Sequence, residues 1–172
     1  MRIIVIGFTS IFLCSSVACY ASSEKIIREE VSSSGMTSVN ASFGHTNISV
    51  KIKTHEIDIG KPSDGRPDKI SSNCTYSRYP CSNVDDLEIS VNGSNLFVAR
   101  SVFADLADLI GVTLQQNRRG QFVLTLGGGD ASESYSVEVT FDGKLVRQRA
   151  LISNEGRQVM QKTTYFESEP MN

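Results

Sequence analysis

The sequence predicts a mainly β fold: a single antiparallel β-sandwich or curled sheet built of hairpins, with one short helix near residues 101–110. Three observations predict it. Stretches in which apolar and polar residues alternate recur along residues 37–167, the period of strands with one buried face. Turn pairs such as Asn92-Gly93 and Asp142-Gly143 stand between these stretches. Only one segment carries apolar residues at helical spacing. The strand spacing corresponds to about six to nine strands.

In chain order, the first element is a leader. Arg2 precedes an apolar run from Ile3 to Ala18 that is too short, and too rich in small polar residues at its end, for a membrane-spanning helix. Residues 1–21 read as an export signal, and two processing sites compete: cleavage after Ala21, or lipoprotein processing before Cys19 with residues 1–18 removed. Removing residues 1–21 takes away only Arg2 among the charges, so the formal charge moves from -2 to -3. Phosphate-backbone binding then lacks its electrostatic driving term, and nucleic acid is not an expected partner. The N-x-S/T sequons at Asn40, Asn47, Asn73 and Asn92 matter only in a glycosylating secretory pathway.

Residues 22–36 read as a polar spacer or a loosely held first element. Ile48, Val50 and Ile52 then alternate with Ser49, Lys51 and Lys53, a half-buried strand. After Thr54 the apolar parity shifts to Ile57 and Ile59, so a bulge or break is expected there. Residues 60–86 hold three of the four prolines and read as a long irregular loop. Within it Cys74 and Cys81, the only cysteines outside the leader, read as a disulfide of an exported chain. They form no recognised metal spacing with His45 or His55, so neither a metal nor a cofactor is expected.

Asn92-Gly93 suits a type I′ turn that sets Ile89 opposite Leu96 and Leu87 opposite Val98. Val102, Leu106 and Leu109 have helical spacing, with Ser101 as N-cap and Gly111 as stop. A hairpin follows around residues 117–120, then one around Asp142-Gly143 with Val139 opposite Val146 and Glu138 opposite Arg147. Residues 161–166 form a terminal strand, and 168–172 a tail.

No nucleophile elbow and no His-Glu-x-x-His motif is present, so no catalytic residue is assigned. The stretch "LGGGDASESY", residues 126–135, lacks the helix that a phosphate loop needs. Its glycines read as a corner between strands, and Asp130, Ser132 and Glu133 as a secondary recognition loop. Tyr76, Arg78 and Tyr79, between the two cysteines, form the candidate binding loop, because such residues dominate contact hot spots and a bridge lowers their ordering cost. Arg118 and Arg119 read as an exposed hairpin tip or a grip on an acidic partner.

Residues 87–166, with "VNGSNLFVARSVFADLAD", "LTLGGGDASESY" and "VTFDGKLVRQR" in that order, resemble a group of short exported bacterial proteins without an established activity. The resemblance implies an exported β-rich domain and carries over no catalytic residue. The reading that follows is a non-enzymatic binding protein of a Gram-negative envelope, periplasmic or lipid-anchored, with another protein as partner. An inhibitor or immunity protein is its most concrete form. An envelope hydrolase with a dispersed site and a structural envelope lipoprotein are the alternatives.

Overall fold

The computed structural model describes residues 25–61, 74, 75 and 77–167. The expected signal peptide, Cys19, Tyr76 and the expected tail lie outside the described residues. Ten strands are present among them, slightly more than the spacing predicts: β1 (Ile26–Glu30), β2 (Gly35–Phe43), β3 (Thr46–Ile57), β4 (Cys81–Val91), β5 (Ser94–Asn95), β6 (Leu109–Gln116), β7 (Phe122–Gly128), β8 (Tyr135–Phe141), β9 (Val146–Ser153) and β10 (Val159–Thr164). They form two antiparallel sheets, a six-stranded one ordered β1-β6-β7-β8-β9-β10 and a four-stranded one ordered β2-β3-β4-β5.

The alternation decides what each sheet buries. In β3, Ile48, Val50 and Ile52 are buried while Lys51 and Lys53 are exposed; in β7, Phe122, Leu124 and Leu126 are buried. These inner faces belong to one continuous core, the arrangement of a sandwich. Phe122 stands between Phe43 and Phe141, with ring centroids 5.6 Å away on either side, so aromatic rings from both sheets fill that part of the core. The irregularity expected after Thr54 falls one residue earlier, as a shift in the β3–β4 register, Lys53 pairing with Asp86 and Thr54 with Val84. Asp85 is the extra residue, and the bulge lets Thr54 and Val84 both remain buried.

Asn92 (φ 50°) and Gly93 (φ 82°) occupy the left-handed region, as a type I′ turn requires. The ladder beyond them is shorter than predicted. Leu96 N–H still bonds Ile89 O at 2.8 Å, but no strand pairing extends to Leu87 and Val98.

Four other expectations are corrected. The helix near residues 101–110 is a single 3-10 turn, Arg100–Val102. Ser101 lies inside that turn, and the preceding Ala99 has no side chain that can cap it. The Val102 carbonyl, which a helix would use for Leu106, instead accepts Arg149 Nε at 3.0 Å. The Leu106 carbonyl accepts Val84 N–H at 3.1 Å, and Asp108 has φ 52°. Apolar spacing here serves an irregular plug whose Val102, Phe103 and Leu106 are buried in the core, and Gly111 belongs to β6 rather than stopping a helix.

The 22–36 spacer contains β1, which pairs with β6 from Ile26↔Gln115 to Glu30↔Gly111. Its charged side chains are exposed because it is an edge strand, which sequence polarity alone cannot separate from a linker. The irregular loop ends at Pro80, since residues 81–86 already belong to β4. The β8–β9 register pairs Phe141 with Val146, Val139 with Arg149 and Glu138 with Ala150, not Val139 with Val146 or Glu138 with Arg147. The cause is a longer turn followed by a bulge: Asp142 Oδ1 accepts Lys144 N–H and Leu145 N–H, its Oδ2 accepts Arg147 Nε at 2.6 Å, the connection spans four residues, and Arg147 is an extra residue between the pairs Phe141↔Val146 and Thr140↔Gln148.

Candidate functional site

Cys74 and Cys81 stand at disulfide-bonding distance, with Cα atoms 5.7 Å apart, and are bridged. Both are buried in a small cluster with Ile59 and Ala107. A second tie runs beside the bridge. Asp108 Oδ2 accepts the Thr75 N–H at 2.7 Å and Oδ1 accepts the Ser82 N–H at 2.9 Å. Thr75 follows Cys74 and Ser82 follows Cys81, so one carboxylate holds the backbone next to both cysteines. Asp108 also donates its N–H to Ser82 O at 2.6 Å and accepts Gly129 N–H at 3.2 Å. Its left-handed backbone, which aspartate tolerates better than most residues, aims these groups in different directions.

The glycine stretch forms the opposite wall. Gly128 pairs with Tyr135 at the end of the β7–β8 ladder. The Tyr135 hydroxyl donates to Ala107 O at 2.5 Å and accepts Ala107 N–H at 3.0 Å. A Cβ on Gly128 would stand 2.7 Å from that hydroxyl and 3.0 Å from Ala107 O, and one on Gly129 would run into the Glu133 carbonyl. Gly129 also has φ 76°. Gly127 and Gly128 close β7 and Gly129 turns the corner, and what Gly128 and Gly129 approach is tyrosine and backbone rather than a phosphate.

The two loops singled out in the sequence meet here. Ser77 Oγ donates to Asp130 Oδ2 at 3.4 Å. Beside this contact, between residues 132–135 and strands β9 and β10, lies a cleft of about 230 Å³ lined by Cys74, Ser132, Glu133, Tyr135, Leu151 and Met160. Ser132 and Glu133 are exposed along it, and Asp130 faces the bridged loop. Arg78 is half-buried, its N–H bonded to Thr75 O at 3.1 Å. Tyr79 is half-buried against the Ile59, Cys74, Cys81 and Ala107 cluster, so its ring serves packing as well as any contact. Arg118 and Arg119 lie exposed on the β6–β7 turn, at the other end of β7 from the corner.

The residues that organise the site escaped sequence reasoning. Asp108 lay within an expected helix, and Tyr135 read as one of several inward strand residues. The single visible signal was the pair of short loops with turn residues at both. Burial pushes the Tyr135 pKa far above the usual tyrosine range, the bond to Ala107 opposing it only in part. The phenol therefore stays protonated and donating.

No acid, base and nucleophile converge among the described residues. His45 is exposed on the β2–β3 turn. His55 Nδ1 lies 2.6 Å from Asp85 Oδ1 on the exposed face of β3 and β4, with no serine or cysteine bonded to it there. A larger trough of about 670 Å³ crosses the outer face of β2–β4 and is lined by small polar side chains such as Asn40, Ser42 and Ser49, with Lys25 and Lys51. No helix among the described residues is long and apolar enough to cross a membrane. No family model, curated protein or solved structure matches the chain.

Proposed function

We propose that this chain is an exported, non-enzymatic binding protein of the bacterial envelope that engages another protein through the bridged corner, as an inhibitor or immunity protein does. The observation that supports this most is that the two loops rich in contact-type residues form one pre-ordered surface. It is tied by the Cys74–Cys81 bridge, the Asp108 carboxylate and the Ser77–Asp130 bond. A surface fixed before association loses little conformational entropy on binding, so its polar side chains contribute more of their contact energy. Arg78, Ser132 and Glu133 are the residues assigned to contact. Tyr79 fixes the loop, and the leader supplies export or, through Cys19, a lipid anchor.

Affinity capture from native envelope extract tests the reading. Wild type is expected to retain a partner that Arg78→Ala and Ser132→Ala/Glu133→Ala lose by tenfold or more with an unchanged melting temperature. Equal capture by all three proteins, or substrate hydrolysis that disappears in Glu133→Gln, would overturn it.

A further inference from the structure

The corner that carries the bridge also gathers metal-ligand atoms. Sγ of Cys74, Sγ of Cys81 and a carboxylate oxygen of Asp108 all lie within 4.8 Å of one another, and all three residues are buried. Asn83 Oδ1 adds a further oxygen, 3.9 Å from the Cys74 sulfur and 3.7 Å from the Cys81 sulfur. A disulfide sulfur has no hydrogen to offer an amide oxygen. An amide oxygen set against both sulfurs gains a donor from them when they become thiols, or a ligand bond when a cation enters between them. The hydroxyl of Thr75, next to Cys74 and 1% exposed, is without a hydrogen-bond partner among the described residues. We propose that the dithiol form of this corner binds one thiophilic divalent cation of the zinc class through Cys74, Cys81, Asp108 and Asn83.

The chemistry of the donor set fits such an ion. Two sulfurs at about 2.3 Å and two oxygens at about 2.0–2.2 Å from a tetrahedral zinc stand roughly 3.3–3.8 Å from one another, so the sulfurs, bonded in the bridge, must move apart once it opens, while Asn83 Oδ1 already stands 3.7 and 3.9 Å from them. The backbone keeps the thiols in place once the bridge opens, because Asp108 still holds Thr75 N–H and Ser82 N–H beside each cysteine. A dication offsets the like charges that two thiolates and a carboxylate would bring together in one buried corner. The steps balance. A dithiol reductant is oxidised to its own disulfide and passes two electrons and two protons to the bridge, giving Cys74–SH and Cys81–SH. The cation then displaces both thiol protons and forms two metal–sulfur bonds. The ion replaces the covalent staple, so the contact loop keeps its closure in either redox state.

The test uses the mature chain, oxidised or reduced with dithiothreitol and desalted without air. Each is titrated with Cd²⁺, whose thiolate charge-transfer absorption reports sulfur ligation, and with Zn²⁺ in competition. The reduced chain is expected to bind one equivalent and the oxidised chain none. Cys74→Ser/Cys81→Ser should abolish the absorption, and Asp108→Asn and Asn83→Ala should each weaken binding at least tenfold. Asn83→Ala carries the oxygen test if Asp108→Asn fails to fold by circular dichroism. A reduced chain that binds no better than the oxidised one would overturn the proposal. So would affinity unchanged in Asn83→Ala, which would leave the cation held without the fourth ligand.

Discussion

Tyr135 shows how much one hydroxyl decides in this fold. It is 5% exposed and satisfies both the N–H and the carbonyl of Ala107, the residue before Asp108. Tyr135→Phe keeps the ring and leaves both backbone groups buried without that partner, so it should cost about 2–4 kcal/mol in urea unfolding at pH 7. The pH dependence has a definite sign. The folded pKa is raised, so the contribution is complete below the unfolded value of about 10 and is lost as pH rises towards the folded one. The stability gap between wild type and Tyr135→Phe should therefore narrow above pH 10, and a gap that widens there would contradict the assignment. Arg149 acts in the same way on the neighbouring plug. It is 1% exposed and donates to Val102 O, Gln161 Oε1 and both Asp105 oxygens. Arg149→Met should cost about 2 kcal/mol or more, because it leaves the buried Val102 carbonyl without its side-chain donor. Loss of under 1 kcal/mol in the same melts would show that the plug is held by its apolar residues alone.

Among the elements, the β7–β8 corner makes the sharpest prediction, since its three glycines differ. A Cβ on Gly127 meets only Gly111 O at 3.8 Å, whereas Gly128 and Gly129 have no room. Gly127→Ala should change stability by less than about 1 kcal/mol, while Gly128→Ala and Gly129→Val should each cost about 2 kcal/mol or more. Equal melting temperatures for all three variants would mean that the corner relaxes freely. The same corner shows what was legible in the sequence. "GGG" before an alternating stretch specified a strand-to-strand turn because glycine tolerates positive φ, and Asn92-Gly93 specified its hairpin for the same reason. Asp142-Gly143 misled because Asp142 uses its side chain to stabilise a longer turn, which moves the register. The 101–110 segment misled because burying residues three and four apart needs no helix when Arg149 and β4 compete for the backbone groups. Propensity and spacing are local, and both failures were settled by partners distant in sequence.

For the whole molecule the same limit governs the site. The two-layer β architecture follows from alternation, but the bridged corner is assembled from residues 74, 75, 77–83, 107, 108 and 128–135, which only the stacking of the two sheets brings together. Asp108 is invisible as a clamp until β4 and β7 lie beside it. Covalent and polar ties then close the same short loop in parallel, and this has a measurable consequence. Cys74→Ser/Cys81→Ser should lower stability by about 2 kcal/mol, as expected for so short a loop, and leave partner capture within a few-fold of wild type. Asp108→Asn, which turns one acceptor into a donor facing a backbone N–H, should cost about 1–3 kcal/mol and also preserve capture while the bridge is intact. The triple variant, measured with a chelator present, should lose capture and exceed the sum of the separate stability costs, because each tie compensates for the other's absence. Amide exchange at residues 77–79 should speed up only modestly in either parent and by orders of magnitude in the triple variant, with the β3 and β7 amides still protected. Strict additivity, with full capture retained, would show that the loop holds its shape without either tie and that contact does not depend on its closure.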